Sequence, residues 1–131
     1  MWRQRRDQRG AVASELVVAT PLLLLLVMLV GQFALWQHAG HVARAAAQEG
    51  ARAARLDGGS VVAGRATAEG FLDRLGGSIL SEPEVVVKRD AQRARVEISG
   101  YATAVVPGLH LPVRAASEGA VERFRPDEAA P

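Results

Sequence analysis

One uninterrupted apolar stretch dominates the first third of the chain. From Leu16 to Trp36, 21 residues carry no formal charge, and only Thr20 and Gln32 are clearly polar. As an α-helix this stretch is about 31 Å long, close to the roughly 30 Å hydrocarbon core of a bilayer. A buried helix of a soluble protein is disfavoured, because so small a chain has too little other apolar mass to surround it. The pattern predicts a transmembrane helix over residues 11–37.

An alanine-rich segment continues the helical pattern to about Leu56. On a helical wheel its polar side chains fall on one stripe and its small side chains on the other side. The polar stripe consists of His41, Arg44, Gln48, Arg52 and Arg55, and the small face of Ala39, Val42, Ala43, Ala46, Gly50, Ala53 and Ala54. The helical spacing of Ala43, Ala47 and Ala51 permits close backbone approach, either to a neighbouring helix or to the chain's own sheet.

The rest of the chain predicts a small α+β domain. Residues 57–60 form a helix stop and turn, and a second helix follows over residues 61–75. Strands are predicted over residues 84–88, 94–101 and 113–124, with Val96 and Ile98 on one face of the second strand. The predicted apolar side of the second helix is Val62, Ala66, Phe71, Leu72 and Leu75.

These elements together define the predicted fold class. It is a membrane-anchored α+β protein with a long N-terminal transmembrane helix that continues outside the membrane. A second short helix and a small antiparallel sheet of about three strands complete the fold, with the sheet packed on the long helix.

Charge is unevenly distributed along the chain and predicts its orientation. Of 16 basic residues, four lie in the first ten positions beside a single acid, namely Arg3, Arg5, Arg6 and Arg9. Basic residues that flank a membrane segment are retained on the cytoplasmic side. We therefore expect residues 1–10 to be a cytoplasmic basic leader, residues 38–124 an extracytoplasmic α+β domain and residues 125–131 a disordered tail. Without the leader, 12 basic and 13 acidic residues remain, which disfavours nucleic-acid binding.

A cleavable secretory signal is an alternative to the membrane helix. Such signals combine a basic start, an apolar centre of about 7–15 residues and small residues at the cleavage site. The apolar stretch of this chain is longer and runs into a predicted helix, but Ala43, Ala45 and Ala47 offer a pattern that a signal peptidase could cut. A secreted domain therefore stays open as a hypothesis.

A short motif precedes the apolar stretch. Residues 9–26 are RGAVASELVVATPLLLLL, in which Glu15 is the fifth residue after Gly10 and Pro21 the eleventh. This combination resembles the class III signal of type IV pilin-like proteins, and most of all the TadE-like family of minor pilins or pseudopilins of the Tad (Flp-type) pilus machinery. The segment AAQEGARAARL, residues 46–56, is similar to the Ala/Arg-rich stretch that follows the membrane helix in that family.

The resemblance implies that residues 38–124 form a pilin-like domain, and it implies processing and assembly. In that family a prepilin peptidase cuts on the cytoplasmic side after the glycine, which corresponds to the bond between Gly10 and Ala11. The implied partners are other pilin or pseudopilin subunits, pilus-assembly membrane proteins, the prepilin peptidase and the lipid bilayer. The implied location is the cell membrane, with the pilus as the location after assembly.

Glu15 and Pro21 are the predicted assembly residues. A carboxylate that enters hydrocarbon costs about 3 kcal/mol, so Glu15 either extends toward Arg9 or water or pairs with a cation. In a bundle of processed subunits, the new amino group of a neighbour's Ala11 can neutralise the carboxylate of Glu15. Pro21 predicts a kink near residues 17–20, where the hydroxyl of Thr20 can bond to a freed carbonyl.

No catalytic residue, cofactor or metal site is predicted. The chain has no cysteine, and His38 and His41 lack a third clustered ligand. His110 has no Ser or Asp close in sequence, and Glu82 and Glu84 form a surface acidic pair. We therefore expect a structural or assembly component of a Tad/Flp-type pilus or related secretion machinery rather than an enzyme. The alternative is an unprocessed, single-pass anchored domain that binds a partner in the cell envelope.

Overall fold

The computed structural model describes the backbone of residues 4–126 and the side chains of residues 8–126. In chain order its elements are helix α1 (Gln4–Arg55), helix α2 (Val61–Leu75) and strands β1 (Leu80–Arg89), β2 (Arg93–Ala102) and β3 (Pro112–Ala120). The strands form one antiparallel sheet in the order β1-β2-β3. The predicted α+β class, with a long helix, a short helix and three strands, is confirmed. The predicted leader residue Arg3 and residues 127–131 of the predicted tail lie outside the described residues.

Helix α1 is continuous over 52 residues, which corresponds to roughly 78 Å. Its C-terminal half packs on α2 and on the sheet. The predicted small face is buried except for the half-buried Ala53, and Ala47 and Ala51 are buried with it. The alanine face could have packed on a neighbouring molecule or on the chain's own domain. In the structure it packs on the chain's own domain.

The predicted polar stripe of α1 is exposed except at its last member, Arg55. The Arg55 side chain lies across Gly119 of β3, where an added Cβ would overlap the guanidinium group. Its Nε atom is buried and has no hydrogen-bond partner among the described residues. Arg55 is therefore half-buried, unlike the other members of the polar stripe, because the glycine in β3 leaves room for the arginine to pack against the strand.

Helix α2 begins and ends at the predicted residues. Ser60 is its N-cap, where Oγ accepts a hydrogen bond from the amide of Ala63 at 3.0 Å, and Gly76 is its C-cap. In the turn before it, Gly58 has φ of +75°, a conformation that glycine adopts without steric cost.

The predicted apolar side of α2 was wrong at three of its five positions. Val62, Ala66 and Leu75 are exposed, Phe71 is half-buried and Leu72 is buried. The buried face consists instead of Gly64, Ala68 and Leu72. A Cβ at Gly64 would lie 2.9 Å from the Cβ of Ala54 and 3.0 Å from the carbonyl oxygen of Gly50, so only a small residue fits between the helices.

The sheet places one face on the helices and the other in solvent. Along β2 the residues alternate as predicted, with Val96 and Ile98 fully buried and Arg95 and Glu97 on the opposite face. Strand β3 ends at Ala120 and not at residue 124 as predicted. Beyond Ala120 the chain is no longer a strand of the sheet. The amide of residue 121 donates to the carbonyl of residue 92, and the amide of residue 122 donates to the carbonyl of residue 55.

Candidate functional site

The N-terminal half of α1 presents a bare apolar surface. Large aliphatic side chains are exposed around the whole helix from Val12 to Val30. The most apolar 18-residue window of α1 is only 6% buried, and α1 is the one helix in the described part of the chain that is long and apolar enough to span a membrane. A core helix of a soluble protein would be covered by the rest of its chain. This surface is therefore a candidate membrane anchor.

The predicted processing and assembly residues lie near the start of this surface. Gly10, Ala11 and Glu15 are exposed positions of α1, and Ala11 and Glu15 lie one turn apart on the same helix face. Ser14 Oγ donates to the carbonyl of Ala11 at 2.9 Å. Arg9 is exposed, and it forms no ion pair with Glu15. The structure thus places Ala11 and Glu15 on one face of α1 without pairing the carboxylate with Arg9, and the processing and assembly roles of these residues stay predictions.

Two of the other leader arginines, Arg5 and Arg6, belong to the first turns of α1. Their side chains lie outside the part of the chain whose side chains are described. The orientation that they imply for the chain stays a prediction.

Pro21 lies inside α1, which continues on both sides of it. The hydroxyl of Thr20 donates to the carbonyl of Leu16 at 2.7 Å. The carbonyl that loses its amide partner belongs to Val17, four residues before the proline. Thr20 therefore bonds the carbonyl next to the freed one, and the kink near residues 17–20 stays a prediction.

Gln32 joins the apolar helix to the domain. Its side chain is 1% exposed. Nε2 donates to the carbonyl of Thr103 at 3.1 Å, and Oε1 accepts from the amides of Val105 at 2.6 Å and Val106 at 3.2 Å. This one amide group fixes the loop between β2 and β3, residues 103–111, against α1. In the sequence, Gln32 is visible as an isolated amide in an uncharged apolar stretch, but that pattern alone indicates no role for it.

Aromatic side chains surround this junction. One turn after Gln32, Trp36 Nε1 donates to the carbonyl of Pro112 at 3.0 Å, and its ring centroid lies 6.0 Å from that of Phe33. On the sheet side, the rings of Tyr101 and His110 meet edge to face at 6.4 Å. The end of the domain nearest the apolar helix is therefore lined by aromatic groups.

The solvent face of the sheet carries a group of ion pairs. Glu118 accepts from Arg93 at 3.0 Å and from Arg95 at 3.3 Å, and Glu97 accepts from Arg95 at 2.7 Å. Hydrogen bonds from Arg93 and Arg95 lower the pKa of Glu118, and the hydrogen bond from Arg95 lowers the pKa of Glu97. In the β1–β2 turn, the backbone amides of Arg93 and Gln92 lower the pKa of Asp90. Exposed pairs of this kind stabilise a fold only slightly.

The three histidines lie on the surface of the described part of the chain. His38, His41 and His110 are exposed. Within the described residues, no group of three or more His, Asp or Glu side chains is placed to hold a metal ion. Glu82 and Glu84, the predicted surface acidic pair, are exposed on β1.

Comparison with known proteins gives one match. The family model described as TadE-like protein matches residues 10–52. No curated protein and no solved structure matches the chain. The matched segment begins at Gly10, contains Glu15, Pro21 and Gln32, and ends in the alanine-rich part of α1. The match supports a component related to the Tad pilus. Residues 10–52, the TadE-like segment of this chain, are thus similar to that family, as the motif around Gly10 and Glu15 predicted.

Proposed function

We propose that this protein is a TadE-like minor pilin or pseudopilin of a Tad/Flp-type pilus or a related secretion machinery. It enters the membrane with its N-terminus in the cytoplasm and its domain outside, and a prepilin peptidase cuts it between Gly10 and Ala11. Its apolar helix then packs with those of other subunits. The observation that carries this proposal is the bare apolar half of α1 within the TadE-like segment.

An exposed apolar helix requires an apolar environment. In a bilayer the lipid tails cover it, and in a filament the helices of neighbouring subunits do. Helices in such surroundings associate through small residues that let their backbones approach. Ala11 and Ala13 supply such residues next to the proposed cut, and a Cβ at Gly31 would meet no other atom within 4 Å, so this position is open to a partner.

Processing would create an assembly contact. The cut removes the four leader arginines and leaves an α-amino group at Ala11, on the face of α1 that carries Glu15. In the low dielectric of a helix bundle, the carboxylate of one subunit and the amino group of the next attract each other strongly. Glu15 has no ion pair within the described side chains, which leaves it available for this contact.

The fold disfavours release by a signal peptidase. Ala43 and Ala47, two residues of the alternative cleavage pattern, lie inside a continuous helix and are fully buried. A cut there would separate Ala39 and Val42 from the core that they help to form. This supports an intact α1 that carries the domain.

Cleavage is tested by intact mass and N-terminal sequencing of the membrane-extracted protein, produced with and without a prepilin peptidase. We expect a start at Ala11 that depends on the peptidase and that Gly10→Val abolishes. An added Cβ at residue 10 meets none of the described side chains within 4 Å, so a lost cut would be attributed to peptidase recognition rather than to a clash in the domain. An uncut start in both samples would favour the permanent anchor, and a start beyond residue 40 would favour a secretory signal.

Assembly is tested by Glu15→Gln, which keeps the size of the side chain and removes its charge. We expect the variant to be processed but to lose its association with pilus subunits in pull-downs from membranes. Glu69→Gln makes the same change at an exposed position of α2 and is the matched control. Normal association of Glu15→Gln would refute the assembly role of this residue.

A further inference from the structure

The loop between β2 and β3 is unusually apolar for an exposed segment. From Ile98 to Val113 the chain has no Asp, Glu, Lys or Arg. Within this stretch Val105 is 43% exposed, Ala104 and Pro107 are exposed, and Leu109 is half-buried. The loop lies at the end of the domain from which the bare half of α1 emerges, so its apolar surface is continuous with that of the helix.

The contact with Gln32 sets the depth of this loop along α1. Gln32 is 16 residues beyond Leu16, or about 24 Å along the helix, whereas a bilayer hydrocarbon core is about 30 Å thick. If the uncharged stretch begins at the inner boundary of that core, Gln32 lies roughly 6 Å inside the outer boundary. The amides of Val105 and Val106 bond directly to Gln32 and share its depth.

Backbone groups at this depth need partners inside the protein, because lipid tails offer none. Gln32 supplies them for the tip of the loop, with three hydrogen bonds to the backbone of residues 103, 105 and 106. In addition, the amide of Leu109 bonds to the carbonyl of Val106 at 3.1 Å. A loop in water would not need a fully buried amide side chain for this purpose.

The aromatic groups around the loop suit the boundary between lipid and water. Trp and Tyr collect at the headgroup level, where their rings are apolar on one side and can bond on the other. Trp36 and Tyr101 stand on the two sides of the loop, one on α1 and one at the end of β2 paired with Pro112. Glu82 lines the surface hollow beside Tyr101 and His110 and marks the polar rim of this region.

We propose that residues 103–111 insert into the outer leaflet of the membrane, at the boundary between headgroups and acyl chains, and so seat the domain on the bilayer surface. The inference rests on the proposed membrane insertion of α1. Gln32 is the positioning residue of this loop, and Trp36 and Tyr101 mark the level of the interface.

The absence of native cysteine allows a direct test with the full-length chain. Single cysteines replace Val105 in the loop, Leu24 in the apolar helix and Val62 on α2, all of which are exposed. Each variant is labelled with an environment-sensitive fluorophore and reconstituted into phosphatidylethanolamine–phosphatidylglycerol vesicles. Quenching is measured with iodide in the aqueous phase and with lipids that carry a spin label close to the headgroup or deep in the acyl chain.

We expect the label at Val105→Cys to be quenched best by the shallow spin label and several-fold less by iodide than the label at Val62→Cys. The label at Leu24→Cys should respond best to the deep spin label. If position 24 responds to lipid but position 105 is as accessible to iodide as position 62, the seating of the loop is refuted and the membrane helix stands. If position 24 does not respond to lipid, the proposed membrane insertion fails as well.

A third outcome identifies a different occupant. Protection of position 105 from iodide without quenching by lipid, increasing with the ratio of protein to lipid, would mean that a second copy of the chain covers the loop. That result would overturn the proposal for the bilayer surface.

Discussion

Gln32 is the residue on which the junction between helix and domain depends. Its position could be noticed in the sequence, since it interrupts an uncharged stretch. Its partners could not be predicted, because Thr103, Val105 and Val106 are more than 70 residues away and their approach depends on how the finished sheet packs on α1. Trp36 was equally visible in the sequence, and its bond to the carbonyl of Pro112 was equally unpredictable.

The change Gln32→Leu tests this residue. The substitution leaves two loop amides and one carbonyl without their partner, and each buried unsatisfied group costs about 1–3 kcal/mol. We expect the free energy of unfolding of the domain, measured by denaturant titration in detergent, to fall by at least about 3 kcal/mol.

Gln37→Leu is the matched control, because Gln37 is exposed on the same helix. Its effect should stay within about 0.5 kcal/mol. Equal stability of the two variants would mean that the loop holds its place without Gln32.

Among the elements, the bounds of α2 and the alternation of β2 could be predicted, whereas the buried face of α2 could not. Bulky apolar residues usually mark the core side of a helix, but here Val62 is 76% exposed and Gly64 is buried. The reason is the distance between α1 and α2. Where Gly50 and Gly64 bring the two backbones together, no larger side chain fits, and the bulky residues of α2 remain outside.

Two glycines of α2 allow a paired test of this contact. Gly64→Ala places a Cβ 2.9 Å from that of Ala54, whereas Gly70→Ala places one in open space. Alanine favours a helix over glycine by about 1 kcal/mol, and overpacking costs about 1–3 kcal/mol.

We therefore expect Gly64→Ala to lower the thermal unfolding midpoint and Gly70→Ala to raise it. Circular dichroism of both variants measures the two shifts. A higher unfolding midpoint for both variants would show that α1 and α2 can move apart at residue 64 without loss of stability.

At the scale of the whole molecule, the sequence was sufficient for the long helix, the second helix, the three strands and the TadE-like segment, because each depends on a local pattern. The placement of the β2–β3 loop beside Gln32 and of Arg55 across Gly119 depends on contacts between distant segments, and no local pattern encodes them. The processing site and the orientation in the membrane depend on other molecules and stay predictions.

Three exposed carboxyl groups give the whole fold a predictable response to acid. The pKa values of Asp90, Glu97 and Glu118 are lowered in the folded state. Their stabilising contribution is complete above the unfolded value of about 4 and is lost as the pH falls through the folded values. We expect the unfolding midpoint to decrease below about pH 4.

Asp90→Asn isolates one of these contributions. The amide oxygen can still accept from the amides of Gln92 and Arg93, but the side chain no longer titrates. The acid-induced decrease should therefore be smaller in this variant than in Asp73→Asn, which changes an exposed position of α2. An identical pH profile for the two variants would contradict the assignment.

The unbroken course of α1 from the apolar half into the core has a geometric consequence. Because the sheet packs directly on α1, a shift of α1 by one residue position against neighbouring helices would rotate the sheet by about 100° about the helix axis. It would also move the sheet by about 1.5 Å along that axis. The direction in which the charged face of the sheet points would therefore depend on how the exposed apolar side chains of α1 pack against neighbouring helices. Neighbouring helices that pack on the apolar half of α1 would in this way orient the charged face of the sheet, which lies farther along the molecule.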